Sequence, residues 1–421
     1  MRRFHYEYKV PGGKLIVVDG AVEGARIGEV SFSGDFFIEP EEAFDALNNA
    51  LVGVSTNASI AEVAARLDAS LAALAQSRGE SPQSHEEAPR GHEESPRGSA
   101  DAPQSSRDAG DENLSDHGVY LHGFSTYDVA YAVVRGINGA TDFYDHTWEV
   151  IHDEVRPTRL NVALDQYLLE QVAAGKRGPT LRFWEWTDTA AVIGAFQSYN
   201  NELHAEGVRD HSVEVVRRIS GGGAMFMEGG NCITFSLYAP ASLVAGLDYT
   251  AGYEFLDRWL LEALSSIGIK ARYQPINDIT SEAGKIGGAA QKRLRAQAFA
   301  GQTSGGQVGE TTENGLITGN GEVILHHDTL SYDIDAEKMV QVLRIGKAKI
   351  SDKGVRSAIR RVDPLRSQTG LSREDIIEHM IDVFIARTGA TRGEVSADEV
   401  TGAEQLIADK FGTEEWTYRV P

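Results

Sequence analysis

Two glycine-rich segments contain the residues whose types and spacing could do chemistry. The first runs from Arg217 to Ala224 with the sequence RRISGGGA, where an apolar, strand-like stretch meets three consecutive glycines. Glycines carry no Cβ atom, so their backbone N–H groups approach a ligand closely and form a nest for an anion, and adjacent guanidinium groups clamp a phosphate or carboxylate. The segment suits a nucleotide, although three glycines alone more often mark a loose hairpin beside solvated arginines.

The second segment combines an Asn-Asp pair with a lysine among glycines. Asn277 and Asp278 precede Lys285, which lies in the run GKIGGAA from 284 to 290. A carboxylate can hold Mg²⁺ that bridges phosphate oxygens, and a lysine can approach a carboxylate, an α-phosphate or an acyl-adenylate oxygen as a point charge. Taken alone, however, an Asn-Asp pair is commonly a turn and a Gly-Lys pair a surface loop.

The elements that must position these segments mix strands and helices irregularly. Apolar residues recur on one helical face from Leu160 to Val172, and Gly175 then allows a left-handed helix end. Another amphipathic helix passes through Leu256 and Ile267. Strands are predicted at 181–186, 191–194, 213–218, 233–238 and 322–327, and helices in the tail at 375–387 and 397–411. This order favours an α+β fold over repeated βαβ units.

The N-terminal part of the chain predicts a small ordered unit that a polar insert interrupts. Alternating apolar residues predict half-buried strands, one with Leu15 and Val17 and another with Val30 and Phe32. Capping boxes predict the starts of two helices, at Ser59 with Glu62 and at Ser125 with Asp128. Residues 76–116 have too few apolar side chains to offset the entropy of ordering, which predicts a disordered insert. The Gly-rich stretch 300–321 predicts a flexible loop.

The two glycine segments, taken together and in order, make the chain resemble the lipoate-protein ligase A family. This family is part of a superfamily that also holds biotin ligases and lipoyl or octanoyl transferases. The resemblance covers about residues 145–421 and is carried by the runs NVALD (161–165), RRISGGGA (217–224), GN (230–231), NDI (277–279), GKIGG (284–288) and LHHDTL (325–330). It implies a biotin/lipoate-ligase-like catalytic domain with mixed sheets flanked by helices.

The N-terminal unit resembles the small α+β accessory domain of the same family. The similarity is carried by the runs YKVPGGKL (8–15) and SGDFF (33–37). Transferases that use a carrier-bound acyl group generally lack this domain, so its presence favours a ligase. We therefore expect an accessory domain at 1–139, a catalytic acyl-adenylate and transferase domain at 145–350, and a helical tail of that domain at 351–421.

The resemblance implies that lipoate and ATP form lipoyl-adenylate and pyrophosphate, after which a carrier lysine takes the lipoyl group. The residues implied for ATP or the adenylate are Arg218, Gly223, Ala224, Met225, Phe226, Asn277, Asp278 and Lys285. Those implied for lipoate are Trp184, Arg217, Gly221, Gly222, Gly287, Gly288 and again Lys285, the proposed catalytic residue. Asp278 is the candidate Mg²⁺ ligand. The expected partner is a lipoyl-carrier domain of a 2-oxoacid dehydrogenase complex or a glycine-cleavage H protein.

The chain departs from the family pattern near the site, and two other functions stay open. Met227 and Glu228 stand where the family often has His-Asp, and Asp328 stands where it often has Gly. One alternative is an octanoyl or lipoyl transferase that works without ATP and uses a cysteine nucleophile. Cys232 lies in an apolar strand pattern, which indicates a structural role. The other alternative is a non-catalytic protein that binds an acyl carrier.

The amino-acid composition limits the classes of partner and the cellular compartment that we expect for this protein. A net charge of −22 and a pI near 5.0 argue against a general nucleic-acid binder or a protein of anionic membranes, because both surfaces select Lys and Arg. The single cysteine and a charged start favour a reducing cytoplasm, and the absence of cysteine and histidine clusters with zinc-ligand spacing predicts no structural metal. The 29 Arg, 11 Lys and 62 acidic residues resemble the composition of proteins from high-salt cytoplasms, such as those of haloarchaea.

This charge excess predicts that salt stabilises the protein. Ions screen the repulsion among acidic groups, so molar KCl should favour the folded chain more than dilute buffer does. We expect the thermal midpoint to rise by at least about 4 °C, which corresponds to roughly 1 kcal/mol in a domain of about 200 residues. Differential scanning fluorimetry over a KCl series measures this shift, and a midpoint independent of salt would contradict the halophilic interpretation.

Overall fold

The computed structural model describes residues 1–78, 113–114, 118–295, 310–311, 317–318, 321–344 and 362–421. These residues form two units, one of Met1–Ala140 with Ala245–Leu247 and the other of Thr141–Val244 with Asp248–Pro421. Most of the predicted insert at 76–116 and of the predicted loop at 300–321 lies outside the described residues. None of the described helices has the length and apolar character needed to cross a membrane.

The first unit packs three helices against two small antiparallel sheets. One sheet has the order β1-β2-β3, formed by Arg2–Lys9, Leu15–Glu23 and Arg26–Gly34. The other has the order β4-β6-β5, formed by Phe37–Glu39 (β4), Asn113–Leu114 (β5) and Tyr120–His122 (β6). The helices are α1 Glu42–Leu51, α2 Ile60–Ser77 and α3 Thr126–Ile137.

The predicted helix starts of this unit are confirmed, but the core face of β2 differs from the prediction. Both capping boxes form, with the Ser59 and Ser125 hydroxyls accepting backbone N–H bonds at the starts of α2 and α3. On β2 the fully buried residues are Ile16 and Val18, not Leu15 and Val17. Four apolar residues in a row offer no alternation, and a shift of one position exchanges the two faces of a strand.

The second unit is built on an eight-stranded mixed sheet with the order β13-β14-β15-β18-β12-β8-β7-β19. Its strands are β7 Glu149–Val155, β8 Thr180–Glu185, β12 Cys232–Pro240, β13 Arg272–Gln274, β14 Asp278–Thr280, β15 Lys285–Arg295, β18 Glu322–Ser331 and β19 Thr391–Arg392. A three-stranded sheet, β10-β9-β11, consists of β9 Thr189–Ile193, β10 Glu214–Arg217 and β11 Met225–Glu228. The short strands β16 Glu310–Thr311 and β17 Ile317–Thr318 pair with each other.

Helices flank these sheets, as the predicted α+β class requires. They are α4 Thr158–Ala173, α5 Tyr199–Glu202, α6 Ala205–Asp210, α7 Tyr249–Ser266, α8 Ala336–Val342, α9 Leu365–Gln368, α10 Arg373–Thr388, α11 Ala397–Leu406 and α12 Glu414–Thr417. The predicted helices at 160–172, 256–267 and 375–387 are confirmed. The helix predicted at 397–411 is α-helical to Leu406 and continues as a π-helical turn, Ile407–Phe411.

The centre of the large sheet carries the two strands that position the site. Every residue of β12 is buried, as expected for a strand covered on both faces. β18 pairs with β12 on one side and with β15 on the other, and all its residues after Glu322 are buried. Lys285 begins β15, so the Gly-Lys pair starts a strand and does not form a surface loop. This pairing places the second glycine segment beside the histidines of β18.

Candidate active site

One cavity of the second unit is lined by residues from both glycine segments. Its volume is about 470 Å³, within the range of small-molecule sites, roughly 300–1,000 Å³. The first segment contributes Arg218, Gly223, Ala224 and Met225, and the second contributes Asn277, Lys285, Gly288, Ala289 and Ala290. Strands and helices around them contribute Trp184, Val192, Gln197, Glu202, Met227, Thr234, His327, Thr329, Leu343 and Arg344.

Arg218 holds the glycine loop between β10 and β11 in shape. Its guanidinium group donates hydrogen bonds to the carbonyl oxygens of Gly221 at 2.7 Å and Gly223 at 2.8 Å. It also donates to Val192 O on β9 at 3.2 Å and to Ser220 Oγ at 3.0 Å. Burial lowers the pKa of Arg218 to about 10, so the group is still a cation at neutral pH. A fixed positive charge therefore stands at the cavity wall.

Glycine is required where this loop meets its neighbours. Gly222 has a φ of +90°, and a Cβ there would lie 3.0 Å from Arg218 Nη2 and 3.6 Å from the Cβ of Ala290 on β15. A Cβ on Gly194, at the end of β9, would lie 2.3 Å from Gly222 O. The absence of side chains thus lets the first segment lie directly against the second.

Lys285 presents its amine at the edge of the cavity. Its Nζ atom lies 2.7 Å from Asp278 Oδ1, and the two side chains are 42% and 40% exposed. An ion pair this exposed contributes only about 0–1 kcal/mol, so the amine can exchange the carboxylate for a ligand at little cost. A Cβ on Gly288 would lie 3.2 Å from the same Nζ, so this glycine leaves room for the lysine chain.

Asn277 is fixed to β15 through its backbone and side chain. Its Nδ2 donates to Ala289 O at 2.7 Å, and its carbonyl oxygen accepts from Ala289 N at 2.9 Å. The residue therefore lines the cavity as a rigid polar group. The neighbouring Asp278 does not line the cavity, but its half-exposed carboxylate fits an Mg²⁺ ion that takes its other ligands from substrate phosphates and water.

A series of buried, hydrogen-bonded polar groups supports the glycine loop between β10 and β11. His327 Nε2 lies 2.6 Å from Ser220 Oγ, and His327 Nδ1 lies 2.7 Å from Asp165 Oδ2 on α4. The Tyr238 hydroxyl donates to Asp165 Oδ1 at 2.7 Å. Neighbouring residues on a strand point to opposite faces, and of the two adjacent histidines of β18 it is His327 that lines the cavity. Its link to Asp165 joins residues far apart in the chain and carries no local sequence signal.

Several predicted site residues lie away from the cavity wall. The buried guanidinium group of Arg217 donates to the carbonyl oxygens of Gly194, Gln197, Trp416, Thr417 and Val420. Phe226 is 1% exposed and belongs to a hydrophobic cluster around β9. Gly221, Gly222 and Gly287 also do not line the cavity. Arg217 thus ties the C-terminal residues to the sheet, and its predicted contact with lipoate stays a prediction.

Four apolar residues also line the cavity. Trp184, Val192, Met225 and Met227 line it, and Trp184 Nε1 donates to Ser236 Oγ at 3.0 Å. Met227, which departs from the family pattern, adds apolar surface here. The adjacent Glu228 instead pairs with the amine of Lys338. The lining therefore combines apolar side chains with polar and cationic ones.

Cys232 is not part of this site. It begins β12, is 1% exposed and does not line the cavity. Burial raises the pKa of its thiol to about 12. A nucleophilic cysteine needs an exposed thiol with a low pKa, so Cys232 has the properties of a structural residue.

Comparisons with known proteins show which proteins this chain resembles. A sequence model of the family described as "Lipoyl protein ligase A/B catalytic domain" matches residues 157–305. The chain is 26% identical over 259 residues to a probable lipoate-protein ligase A of Mycoplasma pneumoniae, covering 61% of this chain and 67% of that protein. It is 27% identical over 285 residues to the octanoyltransferase LipM of Kyrpidia tusciae, covering 65% and 99%.

Solved structures show the same fold. A bi-partite lipoate protein ligase from Thermoplasma acidophilum, solved as part of a lipoylation system with its E2 lipoyl domain, has a TM-score of 0.52 and 21% identity, covering 66% of this chain and 98% of that one. A lipoate-protein ligase A bound with ATP has a TM-score of 0.52 and 20% identity, covering 65% and 100%. The fold is thus that of the lipoate ligases. Residues 157–305 are thus similar to the lipoyl protein ligase A/B catalytic domain.

The environment of Cys232 predicts very slow alkylation of the native protein. At pH 8, a thiol with a pKa of about 12 is ionised to about one part in ten thousand, whereas an unfolded cysteine with a pKa near 8.5 is ionised to about a quarter. We expect iodoacetamide to label the native chain at least about a thousandfold more slowly than the urea-unfolded chain, as followed by mass spectrometry. Comparable rates would show that the thiol is reactive.

Proposed function

We propose that this protein is a lipoate-protein ligase that works in the cytoplasm. It activates lipoate with ATP to give lipoyl-AMP and pyrophosphate, and it transfers the lipoyl group to a lysine of a lipoyl-carrier domain. The observation that carries the proposal is the shared cavity, in which the Lys285 amine, the Arg218 guanidinium group and the glycine loop meet. These are the groups that an activated carboxyl–phosphate junction requires.

The cationic groups of the cavity suit adenylate formation. In this step a lipoate carboxylate oxygen attacks the α-phosphorus of ATP, a P–O bond forms, and the bond to pyrophosphate breaks. Negative charge builds up on the phosphate oxygens, where Lys285 and Arg218 can offset it. Arg218 is held in place by hydrogen bonds to backbone carbonyls, so it needs no reorganisation during the reaction.

The same groups serve the transfer step. The neutral amine of the carrier lysine attacks the carbonyl carbon of lipoyl-AMP, an amide bond forms, AMP leaves with the electron pair of the broken C–O bond, and the nitrogen releases one proton to solvent. Lys285 and the backbone N–H groups of the glycine loop then stabilise the charge that returns to the phosphate. Both half-reactions thus rely on positioned cations more than on an acid or base.

The apolar lining residues suit the aliphatic chain of lipoate. Trp184, Val192, Met225 and Met227 carry no charge, and each buried CH₂ group of an acyl chain contributes roughly 0.8 kcal/mol. Asn277, Gln197 and Arg344 are polar lining residues and suit a nucleotide. The ATP-bound structure of a lipoate-protein ligase A with the same fold supports this assignment. Mg²⁺ would be held by Asp278 and the substrate phosphates.

The proposed partner is a lipoyl-carrier domain. The similar ligase from Thermoplasma acidophilum was solved as part of a system with its E2 lipoyl domain, which supports an E2 lipoyl domain of a 2-oxoacid dehydrogenase complex as the carrier. A glycine-cleavage H protein presents the same chemistry, a lysine on a small folded domain, and is the other expected carrier. A lysine at the tip of such a domain could reach the exposed end of the cavity, where Lys285 is 42% exposed.

Similarity to an octanoyltransferase makes acyl transfer without ATP the second candidate. The relative from Kyrpidia tusciae aligns over 99% of its length. The cysteine nucleophile expected for such transferases has no counterpart in the cavity, because the one cysteine of this chain is buried in β12. This observation favours the ligase.

Replacing Lys285 should abolish activation. Lys285→Ala removes the amine at the carboxyl–phosphate junction, and we expect lipoate-dependent exchange of labelled pyrophosphate into ATP to fall by at least about a hundredfold, the loss typical of one removed charge-stabilising donor. The matched control is Lys292→Ala, which removes an amine from the same strand outside the cavity. Circular dichroism should show both variants folded.

Two outcomes of that assay would contradict the ligase. Exchange in Lys285→Ala equal to that of the wild type would show that the amine takes no part in activation. Wild-type protein that gives no exchange with lipoate or octanoate, yet moves an octanoyl group between carrier domains, would identify a transferase.

We also propose that the first unit is an accessory domain needed for activation. It has a hydrophobic core of its own, and relatives that transfer a preformed acyl group generally lack such a domain. Deletion of residues 1–139 should remove pyrophosphate exchange, and adding the separately expressed unit should restore at least part of it. Full exchange by the truncated chain would show that the unit has another role.

A further inference from the structure

A second buried polar cluster lies on β18, on the face opposite the cavity. Residues two positions apart on a strand share a face, so His326 and Asp328 lie together while His327 points to the ligase cavity. Asp257 of α7 completes the cluster. His326 Nε2 lies 2.5 Å from Asp257 Oδ1 and 2.9 Å from Asp328 Oδ2.

The cluster contains buried carboxylate oxygens that have no hydrogen-bond partner among the described residues. Asp257, His326 and Asp328 are at most 1% exposed. Within the described ranges, neither carboxylate forms an ion pair with a lysine or arginine, and Asp257 Oδ2 and Asp328 Oδ1 accept no hydrogen bond. Buried carboxylates without such partners are costly. The unpaired carboxylate oxygens and the imidazole nitrogen beside them are therefore available to a bound cation.

We propose that Asp257, His326 and Asp328 bind a divalent transition-metal ion of the Zn²⁺ class. The three residues each offer one ligand atom, and these atoms lie within 4.8 Å of one another. Ligand atoms lie about 2.0–2.2 Å from such an ion, so His326 Nε2 and Asp257 Oδ1, which are 2.5 Å apart without it, would move apart to bind it. The imidazole ligand favours zinc or a neighbouring transition metal over Mg²⁺ or Ca²⁺, which select oxygen ligands.

The surroundings of His326 suit a metal ligand. A ligating imidazole usually has its second nitrogen fixed by a hydrogen bond, and the side-chain amide of Gln291 lies 3.2 Å from His326 Nδ1. A flip of the Gln291 side-chain amide exchanges the positions of its oxygen and nitrogen atoms. In the flipped orientation the amide oxygen accepts a hydrogen bond from the Nδ1–H of a neutral imidazole. Tyr253 covers the ring edge-on with centroids 5.6 Å apart, which shields the cluster from water.

Such an ion would join α7 to the central strand of the sheet. Its ligands come from one helix and one strand, and the other face of that strand carries His327 and Thr329 in the cavity. The role is structural, and it does not depend on the proposed ligase reaction. Asp328 stands where related ligases often have glycine, so a relative with glycine at this position would lack one ligand.

The full-length protein tests the site directly. We expect about one equivalent of transition metal per chain by plasma mass spectrometry after purification from metal-replete medium, and less than about a tenth in Asp328→Asn, because two ligands rarely retain an ion. Asp19→Asn is the matched control, since Asp19 also lies 2.9 Å from a histidine nitrogen, on the surface. This control should retain the metal content of the wild type.

A refolding experiment distinguishes a bound metal ion from a proton shared between the imidazole and the carboxylates. Protein unfolded in denaturant with EDTA and refolded with Zn²⁺ should melt at a higher temperature than protein refolded without metal, and Asp328→Asn should show no such difference. If Asp328→Asn fails to fold, Asp328→Gly takes its place. The proposal would be overturned if the wild-type protein contains no metal as purified and its melting temperature does not change with Zn²⁺. The imidazole and the carboxylates would then share a proton in place of a metal ion.

Discussion

The candidate site depends on the hydrogen bonds by which one buried guanidinium group shapes a glycine loop. Arg218 donates to two carbonyl oxygens of that loop and to Val192 on β9. With Gly222 at a positive φ, the loop then lies against Ala290 of β15 without a side chain between them. Since β15 also begins with Lys285, this packing brings two segments far apart in the chain to one cavity.

The strand β18 connects the two polar regions of the second unit. Its alternation sends His327 toward the cavity and sends His326 and Asp328 to the opposite face. His327 supports the glycine loop through Ser220. On the other face, the contact of His326 with Asp257 joins the strand to α7. A substitution on one face of this strand would therefore also displace side chains on the other face, because a strand buried on both sides has little freedom to shift.

The sequence allowed local features to be predicted better than long-range ones. Capping boxes located helix starts because the signal lies within four residues, as at Ser59. The core face of β2 was missed because its apolar residues do not alternate. The sequence assigned both Arg217 and Arg218 to the site, and only the fold shows that Arg218 is the one of the two that lines the cavity. The contact of Asp257 with His326 joins residues 69 positions apart, and no local pattern reports it.

The most direct test is a crystal structure of the protein with a stable mimic of lipoyl-AMP in which a sulfamate replaces the acyl phosphate. We predict that the mimic fills the cavity, with its chain against Trp184 and its junction within about 3.2 Å of the Lys285 amine, a normal hydrogen-bond distance. The Arg218 loop should contact the sulfamate through backbone N–H groups. A mimic bound elsewhere, or a Lys285 amine still paired with Asp278 and remote from the junction, would contradict the proposed site.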